Sequence, residues 1–251
     1  MSDDVTLPVS AWSGVELIEP VDEGNRNEVW RGTLAGESVA VRRSRRSPAS
    51  LEWELSLIGN LHAAGFVVPT VVTADDGSQS IDGVVVQRWI EGRPPSSDAD
   101  WHAVAAELRR LHALTPQPRQ RPDCCVVTEL SAQRTSVDAD LDAIASADRA
   151  VIESVFETFV GVPTSVIHGD PDPSNIRITA DGQVGLLDWD ESRVDVVFHD
   201  LSNLGVRVLD VDDHERAQDL SNAWEATNAW TAEPLYATSR MQRLRQRRSA
   251  K

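Results

Sequence analysis

The stretch "VIHGDPDPSNIRI", residues 166–178, is the most informative part of this sequence. Its apolar ends are typical of β-strands, while its centre consists of His, Gly, Asp, Pro, Ser and Asn. Pro171 and Pro173 restrict the backbone of this centre before any ligand binds. Local turn chemistry is one explanation of the composition, because Asp, Asn and Pro favour turns. The spacing of the residues that follow favours a second explanation, a functional loop.

Three residues in and after this stretch have the spacing of a kinase catalytic loop. Asp170 is followed five residues later by Asn175, and thirteen residues after that by Asp188, which ends the apolar run "VGLLD". In kinases the Asp of the loop contacts the accepting hydroxyl and the Asn binds magnesium, while a second Asp bridges metal and phosphates. The pattern therefore predicts phosphoryl transfer from ATP with Mg²⁺.

The segments "HGDPDPSN" and "LLDWDESRVDVVFHDL" resemble those of the aminoglycoside phosphotransferase and choline kinase family, which are small-molecule kinases with a protein-kinase-like fold. The resemblance extends over most of the chain. It implies that Asp170 is the catalytic base and that Asn175 and Asp188 are the metal ligands. It also implies that Asp200 braces the catalytic loop and that His168 has a structural role there.

The distribution of strand and helix patterns predicts an α+β protein with two lobes. Alternating apolar and polar residues fill most of the chain before the break at "GRPPSSD", interrupted by one helix over Ser50–His62. Helical patterns follow the break, one of them over Leu130–Ala145. We therefore expect a nucleotide-binding lobe over 1–91, mostly antiparallel sheet, and a mostly helical catalytic and acceptor-binding lobe over 92–251. This matches the protein-kinase-like fold that the resemblance implies.

The third strand, "SVAVRR", should supply the cation that contacts the nucleotide phosphates. Many kinases have lysine there, but the only lysine of this chain is Lys251. Strand alternation turns Arg42 away from its valine neighbours, and arginine binds phosphate with two donors. The alternative is that Arg42 belongs to a solvated basic run, "RRSRR". Glu54 on the following helix is the expected partner of Arg42, with Glu52 as the competing carboxylate.

Two further segments are candidates for nucleotide contacts. Gly24 and Asn25, in "EGNRNEVW", lie between two strands where the family has its phosphate-covering loop, although an ordinary hairpin turn explains them equally well. The segment "VVVQRWIEG" is similar to the family's hinge. Its backbone from Gln87 to Trp89 would then contact adenine, while a buried sheet strand is the alternative reading.

Charge suggests the class of acceptor. Nine acidic residues and only two arginines lie between Asp195 and Glu233, in the part that would help to form the acceptor pocket. An acidic wall would favour a hydroxyl compound that also carries an amine, such as an amino alcohol or an aminoglycoside. A solvated acidic helix face is the alternative. The basic end "SRMQRLRQRRSAK" is expected to be a frayed helical tail, with binding to an anionic surface as the other reading.

Composition excludes several other classes of protein. The net charge of −16 argues against general nucleic-acid binding, which needs a basic face. No apolar run reaches the roughly 18 residues of a membrane span, and the acidic start lacks the layout of a signal peptide, so we expect a cytoplasmic protein. The competing function is a nucleotide-binding pseudokinase that acts as a regulatory protein without turnover. The intact set of Asp170, Asn175 and Asp188 argues against it.

Overall fold

The chain forms two compact units. The computed structural model describes residues 7, 9–21, 28–114 and 119–249. The first unit comprises the described part of residues 1–95 together with Pro173–Asp190, and the rest of the described chain forms the second unit. The expected lobe division after residue 91 remains a prediction.

The first unit is built on a five-stranded antiparallel sheet. Its strands are β1 (Val15–Pro20), β2 (Glu28–Leu34), β3 (Glu37–Arg43), β4 (Val71–Val72) and β5 (Val84–Arg88), in the spatial order β1-β2-β3-β5-β4. Helix α1 (Pro48–Ala63) follows β3, and its first turn is capped by Ser47, whose side chain accepts from the backbone N–H of Ser50 at 3.3 Å. The hairpin of β9 (Ile176–Ile178) and β10 (Val184–Leu186) completes the unit.

The sheet buries different side chains on its two faces. One face contributes to an apolar core that contains Leu7, Trp12, Val39, Val41, Val84 and Val86. On the other face, Val85 packs with Leu51 and Leu55 of α1. Because successive strand residues face opposite sides of a sheet, Arg42 and Gln87 share this second face. The strand register therefore directs two polar side chains towards a helix.

The second unit is mainly helical. Its helices are α2 (Asp98–Leu114), α3 (Val127–Gln133), α4 (Ser146–Glu157), α5 (Phe198–Ser202), α6 (Val211–Ala229) and α7 (Pro234–Ser249). Its strands form two antiparallel pairs, β6 (Thr135–Ser136) with β7 (Ala139–Asp140) and β8 (Thr164–Ile167) with β11 (Arg193–Val196). The architecture confirms the predicted α+β class, with an antiparallel sheet first and helices after it.

The predicted helix over Leu130–Ala145 is wrong. Helix α3 ends at Gln133, and Arg134 adopts a left-handed backbone with φ of 73°. A small hairpin of β6 and β7 follows. Asp140 then accepts a hydrogen bond from the backbone N–H of Asp142 at 2.9 Å. Such local side-chain bonds compete with helical hydrogen bonding, and an apolar pattern alone does not reveal them.

The prediction of a frayed C-terminal tail is also wrong, since α7 packs along α6. Its buried residues recur at helical spacing and are Ala237, Met241 and Leu244. Arg247 bonds Asp219 with Nε and Glu215 with Nη2, each at 2.8 Å. The acidic residues of α6 therefore stabilise the basic helix that follows. In the described part of the chain, no helix combines the length and apolarity needed to cross a bilayer.

Candidate active site

Arg42 is the centre of a buried polar cluster in the first unit. Only 6% of its surface is exposed. Its Nη2 pairs with Glu54 Oε1 in a short contact, and its Nε donates to Gln87 Oε1 at 3.0 Å. Among the described residues, Nη1 has no hydrogen-bond partner although it is buried. Glu54 and Gln87 therefore hold the guanidinium through Nη2 and Nε, and the N–H groups of Nη1 remain for a further acceptor.

The position of Glu54 explains why it, and not Glu52, pairs with Arg42. Glu54 lies on the buried stripe of α1 with Leu51, Leu55 and Ile58, at spacings of three and four residues. Its side chain is fully buried, whereas Glu52 is exposed. A buried carboxylate requires a partner, and the sheet face opposite supplies Arg42.

Two carboxylates beyond Glu54 add negative charge near Arg42. Burial lowers the pKa of the Arg42 guanidinium, but attraction to Glu54, Asp188 and Asp190 outweighs it and raises the pKa above its ordinary value. Asp190 is held by Arg46, whose Nη2 donates to the Asp190 carbonyl at 2.7 Å and lies 3.2 Å from its Oδ2. The sequence did not indicate the Arg46–Asp190 pair. It suggested a role only for Arg42 within the basic run, with a fully solvated run as the alternative.

The predicted metal ligands Asn175 and Asp188 lie on neighbouring chain segments of the first unit. A short 3-10 helix, Pro173–Asn175, precedes β9, and the Asn175 carbonyl accepts from the N–H of Leu187 at 2.8 Å. Asp188 follows β10, is exposed, and has a left-handed backbone with φ of 45°. Asp is among the residues that tolerate this conformation best. Asp188 Oδ1 accepts from the backbone N–H of Asp190 at 3.4 Å, and this hydrogen bond within the turn helps to fix its conformation.

The oxygen donors of this region suit magnesium better than zinc. Among the described residues, no group of three or more His, Cys, Asp or Glu could hold a metal ion by itself. Magnesium needs no such cage, because it is usually bound through one or two carboxylates together with substrate phosphates and water. The carboxylate of Asp188 and the amide oxygen of Asn175 fit that donor set.

The loop that carries Asp170 is fixed within the second unit by Asp200. The buried Asp200 carboxylate accepts the backbone N–H groups of His168 and Gly169, each at 2.9 Å, and its Oδ2 lies 2.9 Å from His112 Nε2. Burial raises the pKa of Asp200, but the contacts with His112, His168 and Gly169 lower it below its ordinary value overall. Asp200 therefore braces the loop as the resemblance implied, and His112 is a further contact that the sequence did not indicate.

Gly169 occupies a position that a side chain cannot share. Its φ is 94°, and a Cβ there would lie 2.4 Å from the carbonyl oxygen of Glu191. We expect Gly169→Ala to displace the loop, to lower the free energy of unfolding by more than about 1 kcal/mol, and to abolish the phosphoryl transfer that the sequence predicts. Thermal unfolding and turnover measure these effects.

Gly161→Ala is the matched control for this experiment. Gly161 also has a positive φ, 81°, but an added Cβ would meet nothing within 4 Å. If Gly161→Ala and Gly169→Ala lose the same amount of stability and activity, the close approach of Gly169 to Glu191 is not important for function.

The structure describes only part of the predicted nucleotide contacts. Gly24 and Asn25 lie outside the described residues. Gln87 is buried and belongs to β5, which pairs with β3 and β4. This residue therefore lies in a buried sheet strand, as the alternative reading expected. The backbone N–H of Trp89 donates to Ser38 at 3.2 Å. The adenine contact stays a prediction.

Many of the acidic residues between Asp195 and Glu233 have hydrogen-bond or ionic partners within the chain. Asp195 is fully buried and accepts from Arg193 Nε at 2.9 Å. Burial raises its pKa, but His199 and Arg193 lower it to about 2. Asp210 caps α6 by accepting from the N–H of Asp213 at 2.9 Å. Because these acids have structural partners, their number alone does not indicate a cationic acceptor.

A family model and several solved structures match this chain. The model of the "Phosphotransferase enzyme family" matches residues 17–237. Choline kinase LicA from Streptococcus pneumoniae is 14% identical with a TM-score of 0.66, over 97% of this chain and 96% of that one. The microcompartment-associated aminopropanol kinase is 16% identical with a TM-score of 0.68, over 95% and 93%.

A third structural neighbour was solved with ligands. APH(2'')-IIia, in a complex with GDP and kanamycin, is 14% identical with a TM-score of 0.63, over 96% of this chain and 97% of that one. LicA has also been solved in complex with AMP. No curated protein matches the sequence. These likenesses confirm the protein-kinase-like fold of small-molecule kinases.

Proposed function

The chain belongs to the phosphotransferase enzyme family, and on that basis we propose that it transfers the γ-phosphoryl group of ATP, with Mg²⁺, to a hydroxyl of a small molecule. The observation that carries the proposal is the buried Arg42–Glu54 pair. It leaves Arg42 Nη1 without a partner among the described residues, in the unit that also carries Asn175 and Asp188. Membership of an enzyme family favours turnover over the pseudokinase alternative.

Each polar residue has a distinct role in the proposed reaction. Arg42 donates to the phosphates and orients them, and Asn175 and Asp188 would hold Mg²⁺, which neutralises phosphate charge when bound. Asp170 accepts the proton of the acceptor hydroxyl. As the hydroxyl oxygen bonds to the γ-phosphorus, the bond to the β–γ bridging oxygen breaks and ADP leaves.

We propose that the acceptor is a hydroxyl compound that also carries an amine, such as an amino alcohol or an aminoglycoside. The support comes from the structural neighbours, since choline and aminopropanol both combine a hydroxyl with a cationic nitrogen. A substrate panel tests this with amino alcohols and aminoglycosides, neutral sugars and acidic hydroxy compounds, each with ATP and Mg²⁺. If neutral or acidic acceptors react fastest, the acceptor class is wrong while the phosphotransferase assignment stands.

Asp188→Ala should abolish the magnesium dependence of nucleotide binding. Asp188 is an exposed carboxylate two residues after β10, and replacing it removes a hard oxygen ligand. Calorimetry of ATP binding with and without Mg²⁺ measures the effect. Asp181→Ala is the control, because Asp181 is an exposed carboxylate in the turn of the same hairpin. Equal magnesium dependence in the two variants would contradict the assignment of Asp188.

A further inference from the structure

Gln87 makes two side-chain contacts that fix it in the first unit. Its Oε1 accepts from Arg42 Nε at 3.0 Å, and its Nε2 donates to the carbonyl of Pro69 at 3.1 Å. Only 4% of its surface is exposed. Both ends of the amide are therefore used, and the contact with Pro69 settles which end faces Arg42.

An arginine at this position needs an orientation that a lysine would not need. A lysine ammonium is a compact charge, whereas a guanidinium is planar and donates in fixed directions. Glu54 contacts Nη2, and a single contact does not by itself fix the plane of a guanidinium. A second acceptor at Nε fixes the plane, and with it the direction of Nη1. Gln87 is that second acceptor.

We propose that Gln87 is a positioning residue, which holds the Arg42 guanidinium so that Nη1 points to the nucleotide phosphate. This inference rests on the proposed function. Strand register supports it independently, because Gln87 and Arg42 lie on the same face of neighbouring strands, β5 and β3. The sequence predicts a nucleotide contact through the backbone of Gln87, and the positioning role belongs to its side chain.

Gln87→Met tests the role, because methionine keeps the length of the side chain and removes both hydrogen bonds. We expect ATP affinity to fall by roughly tenfold to a hundredfold, as for a lost hydrogen bond to a charged group, with KM rising more than kcat falls. Gln79→Met, at an exposed position of the same unit, is the control and should bind ATP as the parent does.

A second background separates action through Arg42 from direct contact with the nucleotide. In the Arg42→Met/Glu54→Gln protein the ion pair is absent, and adding Gln87→Met should change ATP affinity by less than about twofold. An equal loss in both backgrounds overturns the proposal, as does a Gln87→Met protein that binds ATP like Gln79→Met. A parent protein that binds no nucleotide overturns the proposed function itself, and this inference with it.

A measurement on the parent protein remains decisive if Gln87→Met does not fold. The NMR signal of Arg42 Nε–H, assigned by its loss in Arg42→Lys, should exchange with water at least about tenfold more slowly than that of the exposed Arg45. It should also shift when ATP is added. An Arg42 Nε–H that exchanges as fast as that of Arg45 overturns the proposal.

Discussion

The Asp170→Asn protein should fold like the parent and transfer phosphate about 10²–10⁴-fold more slowly, because it lacks the carboxylate proposed to accept the hydroxyl proton. The loop does not depend on the Asp170 carboxylate alone, since Asp200 accepts the backbone N–H groups of His168 and Gly169. Asparagine has nearly the same shape as aspartate, so the loop should be retained. Turnover with ATP and a reactive acceptor, together with thermal unfolding, measures both expectations.

Asp172→Asn is the control for this variant. Asp172 is an exposed carboxylate two residues further along the same loop, so its replacement removes one charge from the same region. Its turnover should stay close to that of the parent. A folded Asp170→Asn protein with full activity would show that another group accepts the proton.

Among replacements in the first unit, Arg42→Ala should cause the largest loss of stability and of ATP affinity. It removes the donor proposed for the phosphates and breaks the buried ion pair between Arg42 and Glu54. Breaking a buried pair by removing one member typically costs about 3–5 kcal/mol of stability. ATP affinity should fall with it. Denaturant unfolding and ATP titration report the two losses.

Arg45→Ala and the double variant Arg42→Met/Glu54→Gln are the controls for Arg42→Ala. Arg45 is the exposed member of the same basic run, and its replacement should change stability by less than about 0.5 kcal/mol. Arg42→Met/Glu54→Gln should recover stability without recovering ATP affinity, because it removes both buried charges together. If Arg42→Ala and Arg45→Ala have equally small effects on ATP binding, Arg42 is not a phosphate ligand.

The sequence alone predicted the class of the fold and the family of the protein. Alternation identified the antiparallel sheet, helical spacing identified α1, and the motif around Asp170 indicated a small-molecule kinase, which family membership confirmed. Alternation also placed Arg42 opposite its valine neighbours, whereas Glu54 was expected from the resemblance to the family. The inferences from alternation and helical spacing depend on local periodicity, which a sequence expresses directly.

Only the tertiary structure decided which charges belong together. The acidic residues of α6 hold the basic helix α7, through pairs such as Asp219–Arg247, so the excess that suggested a cationic acceptor has a structural use. The basic run contains the buried Arg42, the half-buried Arg43, the exposed Arg45 and Arg46, which pairs with Asp190. Gln87 reaches Arg42 from 45 residues away in the chain. Ion pairs and hydrogen bonds act over a few ångströms in space, and their partners are set by how strands and helices pack rather than by any spacing along the chain.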